Sequence, residues 1–286
     1  MVSLRVPESL RYFFYVMKKS KPLMIGFILV LFIIFVYIAG PYIVPYPEDA
    51  GKVIKFEEKF QPPSLKHPFG TDEFGRDILS RVFIGTRLSL NICFAALLII
   101  LSTGVPLGLL AGYTAGWLNI LIMRICEVFL AVPSLVLALV ISSLLPRSFN
   151  NLIYALALSW WPWYVRLING ETLSLKEELY MEAAKSIGAG PFYIILKEIL
   201  PNLIPIILIR ATLDIGYIIL AAATLGFLGL GVGPPTPEWG TMIAEGRLFL
   251  PRNWWIVTFP GIFIFITVLG FNLLGSGLRD FFFGEM

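Results

Sequence analysis

Apolar residues in this chain come in long blocks free of charge, not in short alternating stretches. The blocks run over residues 22–47, 88–123, 128–146, 148–165, 215–237 and 253–278. A helix needs about 20 residues to cross the hydrocarbon core of a bilayer. Backbone N–H and C=O groups in lipid must be bonded within the segment, and strand-like alternation is missing, so each block predicts a membrane-spanning helix. The predicted spans lie at about 23–44, 88–111, 121–145, 151–168, 203–228 and 253–278.

Polar residues are confined to the gaps. Residues 1–22 form a basic tail, with Arg5, Arg11, Lys18, Lys19 and Lys21 against Glu8. Tyr12, Phe13, Phe14 and Tyr15 make it a predicted interfacial helix. The segment 45–87 holds seven bases and seven acids. A Gly/Tyr turn at 112–116 and a tight loop at 146–150 join the next spans. GLGVGPPTPEWG (229–240) opens a loop to about 253, and 279–286 is a short tail.

Composition fixes the solvent. The chain is 57% hydrophobic and 14% charged, against about 25% charged in soluble domains. The first block is too long for a cleavable signal and ends in Gly40-Pro41, so it is expected to remain as a span. The net charge of +3 names no partner, and nothing indicates nucleic acid. Cys93 and Cys126 fall in or beside apolar helices and read as small hydrophobes, with no disulfide expected. Lysine and arginine nearly tie between the two sides. Weighting the residues beside the first span puts the N-terminus in the cytoplasm, and six spans return the C-terminus there.

Between the fourth and fifth spans, residues 169–202 interrupt the apolar blocks with acids and bases. Leu175, Leu179 and Ala183 at i, i+4 spacing predict a short amphipathic helix over 173–187. Thr172 or Ser174 is its expected cap, with Glu177 or Glu178 following. Gly188, Gly190 and Pro191 end it. A second short helix over 191–200 is expected to break at Pro201 and Pro205. A solvated loop is the plain reading. Small Ala183, Ala184 and Gly188, with Leu179, Tyr180 and Met181 expected on the surface, instead suit a partner.

These residues closely resemble the cytoplasmic loop of ABC importer permeases. Glu182-Ala183-Ala184, Gly188 and Leu200-Pro201 stand at that family's spacing. HPFGTDEFGRDILSR (67–81), VPLGLLAGY (105–113), MRICEVFLAVPSLVLAL (123–139), FLGLGVGPPTPEWGTMIAEGR (227–247) and FNLLGSGLRD (271–280) extend the likeness to the C-type permease of dipeptide/oligopeptide importers. The resemblance implies an all-α integral membrane protein with six transmembrane helices and a type I ABC importer permease fold. It implies a multi-pass protein of the cell membrane, with five helices over 88–278 as its core and a cytoplasmic coupling helix. Leu179, Glu182, Ala183, Ala184, Gly188, Leu200 and Pro201 would meet an ATPase. Implied partners are a B-type permease, two ATP-binding subunits and an extracytoplasmic solute-binding protein, with the bilayer around them. The chain would bind no cofactor itself, ATP and Mg belonging to the ATPases. Glu198, Ser276, Glu127, Ala222 and the tail 281–286 depart from the family pattern, and none touches the Glu182/Gly188 core.

Other constellations add less. No Gly-x-x-x-x-Gly-Lys-[Ser/Thr] phosphate loop occurs, so the chain is not expected to hydrolyse ATP. His67 is the single histidine, which excludes a multi-histidine metal site and leaves a loop residue beside Pro68. Gly70, Thr71, Asp72, Gly75, Arg76 and Asp77, with Glu73, have the carboxylates for a cation, but the arginine favours a self-satisfied turn network. By resemblance this signature is extracytoplasmic and helps receive the binding protein. Arg124/Glu127 and Arg210/Asp214 are spaced to pair along a helix. They are read either as anchors at cytoplasmic helix ends or as gate or pathway residues. Trp160, Trp161, Trp163 and Tyr164 are read as anchor or packing, and Trp239, Trp254 and Trp255 as an outer interfacial belt. The rival classes are a self-contained secondary transporter or channel, short of intramembrane carboxylates, and a membrane enzyme, without a catalytic constellation.

Overall fold

The computed structural model describes residue 17, residues 19–114 and residues 116–284. The tail predicted as an interfacial helix lies almost wholly outside the described residues. The helices are α1 (Lys21–Ile43), α2 (Ile78–Thr114), α3 (Gly116–Leu130), α4 (Ser134–Leu144), α5 (Phe149–Lys176), α6 (Leu179–Ser186), α7 (Pro191–Phe227), α8 (Trp239–Gly246) and α9 (Trp255–Phe283). Among the described residues the only strand-like pairing is a single bridge between Thr71 and Asp77.

Four helices, α1, α2, α7 and α9, are long and apolar enough to cross a membrane. The span predicted over 121–145 is instead a pair, α3 and α4, bent by 81°. Pro133 explains the break, because its ring disfavours the helical conformation at Val132 and it has no N–H to donate. Helix α5 covers the fourth predicted span. Its Asn, Ser and Trp residues leave it less apolar than the four, so it depends on packing against its neighbours.

That packing is a seam of small residues. Gly104, Gly108 and Gly112 recur every four residues on one face of α2, and α5 lies parallel against them. A methyl group on any of the three would sit 2.6 Å from the Cβ of Tyr164, Ile168 or Thr172, respectively. Lipid tails are as apolar as leucine, so helices in a bilayer gain from van der Waals packing, which glycine allows by close backbone approach. At the same end the Lys176 ammonium donates to the carbonyls of Gly112 (3.2 Å) and Tyr113 (2.8 Å), satisfying two of the last acceptors of α2. Asn119 of α3 donates to Asn169 of α5 (2.7 Å) and to the Ala111 carbonyl (2.8 Å).

Helix α9 packs antiparallel to α1 and α7, with Gly26 against Leu273 and Leu274, and Gly275 against Leu213. Pro41 lies inside α1 and cannot donate to the carbonyl of Tyr37. Arg87 of α2 supplies that donor through Nε at 2.7 Å and bonds Ile38 through Nη2. One end of the bundle thus carries residues 45–77, the loop at Arg147 and residues 229–254. The opposite end carries the α2–α3 turn, the α5–α6–α7 elbow and the Ser20–Asp280 hydrogen bond (3.1 Å).

The seam is testable by overpacking. Gly108→Leu is expected to cost at least about 1–3 kcal/mol and to lower the thermal midpoint in detergent. Gly170→Ala, at a helical position with nothing near its added methyl, should leave it unchanged or slightly raised. Equal midpoints for the two variants would refute the seam.

Candidate functional site

The polar island is a jointed elbow. Helix α5 continues to Lys176, beyond the predicted boundary, so neither Thr172 nor Ser174 caps a new helix. Glu177 is still helical, but Glu178 is extended (φ −72°, ψ 141°), and α6 starts after it. This break resets the helix phase. Met181 and Ala184 become the inward face, and Met181 is fully buried (0% exposed), correcting its predicted exposure. Leu179 is 82% exposed, and Glu182 and Ala183 also face outward.

Helix α6 ends in a Schellman motif. Ala189 N–H donates to the Ala184 carbonyl, and Gly188 N–H to that of Lys185, both at 3.0 Å. Gly188 has φ +87°, a conformation that costs an L-residue about 1–2 kcal/mol. Space is not what selects glycine here, since nothing lies within 4 Å of an added Cβ. Past the turn, Phe192 and Tyr193 are exposed, and Ile187 is 86% exposed. These three complete an apolar rim with Leu179 and Tyr180. Sequence reasoning missed them because Ile187 is the last residue of the helix predicted over 173–187 and Phe192 and Tyr193 fall in the first turn of the helix expected over 191–200, where nothing marks them as exposed.

Met181 is the pin of the joint. It packs in a cluster with Leu109, Ile168, Ile194, Ile199 and Leu203, so α2, α5, α6 and α7 meet there. The second short helix expected over 191–200 is continuous with α7. A π turn over 194–199 widens the register just before Leu200 and Pro201, accommodating the missing proline N–H without a stop. Leu200 is half-buried and Pro201 exposed.

At the opposite end the signature 67–81 is a layer of paired charges. Asp72 Oδ2 accepts from Arg76 Nε at 2.6 Å, and Asp72 Oδ1 accepts from the N–H groups of Phe74 and Arg76. Asp77 accepts from Ser80 and lies 2.9 Å from His67 Nδ1, while its own N–H donates to Asp49. Arg81, also buried, reaches Glu245 of α8 (3.4 Å) and the carbonyls of Asp49 and Pro235. His67 is therefore a buried member of this layer. Thr71 accepts from Gln61 N–H (2.8 Å), and Gly70 and Gly75 turn with positive φ. Burial raises the Glu245 carboxyl above the usual carboxylate range, against the pull of Arg81 and Arg76. Burial likewise raises Glu238, whose carboxylate caps α8 by accepting from Gly240 and Thr241.

The tryptophan belt is corrected. Trp239 and Trp255 are buried, donating to the carbonyls of Val82 (3.1 Å) and Thr71 (3.0 Å), and Trp254 alone of the three is exposed. An indole buried with its N–H satisfied packs as core. Tyr164 is likewise buried, on the seam.

The two ion pairs differ. Arg124 and Glu127 pair at 2.8 Å on an exposed face of α3. Arg210 pairs with Asp214 at 3.0 Å, and Asp214 is fully buried (0% exposed) inside the bundle beside Tyr164. The second pair is no surface anchor at its carboxylate end.

Residues 104–284, more than half the chain, match the family model for the inner membrane component of binding-protein-dependent transport systems. The chain belongs to this permease family. Residues 9–63 further match the N-terminal transmembrane domain of oligopeptide transport permease C. A dipeptide transport system permease of Alkalihalophilus pseudofirmus is 42% identical over 92% of this chain and 86% of its own length. A di/tripeptide transport system permease of Pseudomonas aeruginosa is 40% identical over 97% of this chain and 93% of its own. A glutathione transport system permease of Pectobacterium atrosepticum is 41% identical over 88% and 83%. The permease is therefore a membrane component of an ABC importer, and the family match covers the seam, the elbow and α7–α9.

The joint gives a measurable expectation. Met181→Ala should cost about 2–5 kcal/mol of local packing and speed amide hydrogen exchange over 177–199, while Leu179→Ala should not. Equal protection in both would show that Met181 is no pin.

Proposed function

We propose that this permease forms half of the transmembrane pathway of an ATP-driven importer for di- or oligopeptides or similar solutes. Its partners would be a B-type permease, two ATP-binding subunits and an extracytoplasmic solute-binding protein. ATP and Mg would be bound by the ATPases. The observation that carries this reading is the elbow: an exposed apolar and acidic surface pinned by one buried methionine to three long helices. The peptide substrate is supported by relatives named for dipeptides, for di- and tripeptides and for glutathione.

In this reading α6 is the coupling helix, within a cytoplasmic loop over 169–202. Leu179, Glu182 and Ala183 meet a cleft of the ATPase, while Ala184, expected from the sequence to join them, faces the bundle behind them; Gly188 sets the turn, and Leu200-Pro201 closes the motif. Six passages follow if the bent α3–α4 pair and α5 each cross, and both termini are then cytoplasmic. Residues 45–77 stand on the extracytoplasmic face, where Gly70, Thr71, Asp72, Gly75, Arg76 and Asp77 build the rigid layer that receives the binding protein. Closure of the ATPases moves α6, and Met181 transmits the motion to α2, α5 and α7. Asp214 and Arg210 lie on α7, so their pairing responds to that motion, with Arg124 and Glu127 at the rim.

Glu182→Lys and Gly188→Trp should leave the permease in the membrane while ATP hydrolysis no longer drives solute uptake in proteoliposomes, or assembly fails. Normal uptake in both variants would sink the coupling role. Replacing Arg210 and Asp214 together by alanine should alter the ratio of ATP hydrolysed to solute moved, and an unaltered ratio would remove the pair from the pathway.

A further inference from the structure

Gly70, Thr71, Asp72, Gly75, Arg76 and Asp77 are all buried. A protein landing on this face cannot touch them, so contact passes to whatever is seated on top. Seated there is a groove of about 680 Å³ between residues 59–62 and 249–255. Buried Trp255 and half-buried Phe60 and Phe249 give it an aromatic wall. Trp255 is fixed by its bond to the Thr71 carbonyl (3.0 Å). Phe60 N–H donates to the Asp72 carbonyl (3.1 Å), and Gln61 N–H to Thr71 Oγ1 (2.8 Å). These bonds hold Phe60 at φ +55°, the one positive φ outside glycine among the described residues. A bulky L-residue is strained there, and such strain persists only where the surroundings over-determine it. In that position the Phe60 ring packs 4.8 Å from the Phe249 ring.

Two cations line the groove, Lys59 and Arg252, both exposed, and no acid does. Lys59 Nζ lies over the Phe60 ring at 5.1 Å, and neither cation is paired with an acid among the described residues. By contrast Lys55, Lys66, Arg76 and Arg81 are each matched by a carboxylate. Unmatched positive charge attracts an anion and repels a base. A bare inorganic anion has no use for an aromatic wall, whereas arginine beside aromatic rings is the composition of protein interfaces. Resting on the reading that a solute-binding protein serves this permease, we propose that the groove docks an acidic side chain on that protein's surface. The carboxylate sits against Lys59 and Arg252, and its apolar neighbours lie on Phe60 and Phe249. The buried layer beneath positions both cations without meeting the partner itself.

The test measures binding of the solute-binding protein to the assembled importer in lipid nanodiscs, by biolayer interferometry over a salt series. Lys59→Glu and Arg252→Glu should each weaken binding about tenfold or more at low salt, mostly through slower association. Together they should flatten its salt dependence. Lys52→Glu, at an exposed base of the same face outside the groove, should change binding far less. One Asp→Arg or Glu→Arg reversal on the binding protein should restore tight binding to the Lys59→Glu importer, which a misfolded variant could not do. Unchanged binding in the double variant, an equal loss from Lys52→Glu, or no restoring reversal would overturn the groove. So would phosphatidylglycerol that binds the wild type and not the double variant while protein docking is unaltered, which would make it a lipid headgroup contact. If the wild-type importer binds no solute-binding protein, that reading itself fails. If it binds one but ignores both cations, the groove alone fails.

Discussion

The close contact of α2 with α5 governs the rest of this molecule. Hydrophobicity alone does not hold two helices together in lipid, so the Gly104–Gly108–Gly112 face must let α5 approach closely enough for dispersion to do it. That approach fixes the axial position of α5, bringing Lys176 onto the last carbonyls of α2 and placing the chain break at Glu178 just beyond. Leu109 and Ile168, beside the seam, then form the pocket that takes Met181. The elbow is set by the seam, and Ile168 belongs to both.

This arrangement separates what is rigid from what is offered. Inward, α6 presents Met181 and Ala184 to the bundle. Outward, it presents Leu179, Glu182 and Ala183, with Ile187, Phe192 and Tyr193 around the turn. A partner pressing on the exposed face loads a cluster in which α2, α5 and α7 all take part. The opposite end is built differently. Buried carboxylates and guanidiniums there are matched almost one to one, which ties residues 45–77 to α2 and α8 as a stiff platform. Removing one partner from such a layer leaves an uncompensated buried charge, so it is costly to deform.

Much of this was legible in the sequence. Charge-free blocks marked α1, α2, α7 and α9, and the spacing of Glu182, Gly188 and Leu200-Pro201 marked the elbow. The charge balance of 71–77 foretold a self-satisfied network. What was not legible depends on phase and on long-range partners. A break at Glu178 rotates Met181 inward, and periodicity read through the break put it on the surface. Trp239 and Trp255 looked like interfacial residues because their carbonyl acceptors, on Val82 and Thr71, are more than 150 residues away in the chain. Pro201 looked like a helix stop because the π turn that absorbs it has no signature of its own.

The central claim is that the outward face of the elbow is where the ATPase bears on this permease. Photocrosslinking from a benzoylphenylalanine placed at Ile187 in the assembled importer tests it most directly. The account predicts an adduct with the ATPase subunit whose yield changes between nucleotide-free and ATP-bound states. Adducts formed only with lipid or with the solute-binding protein would contradict it.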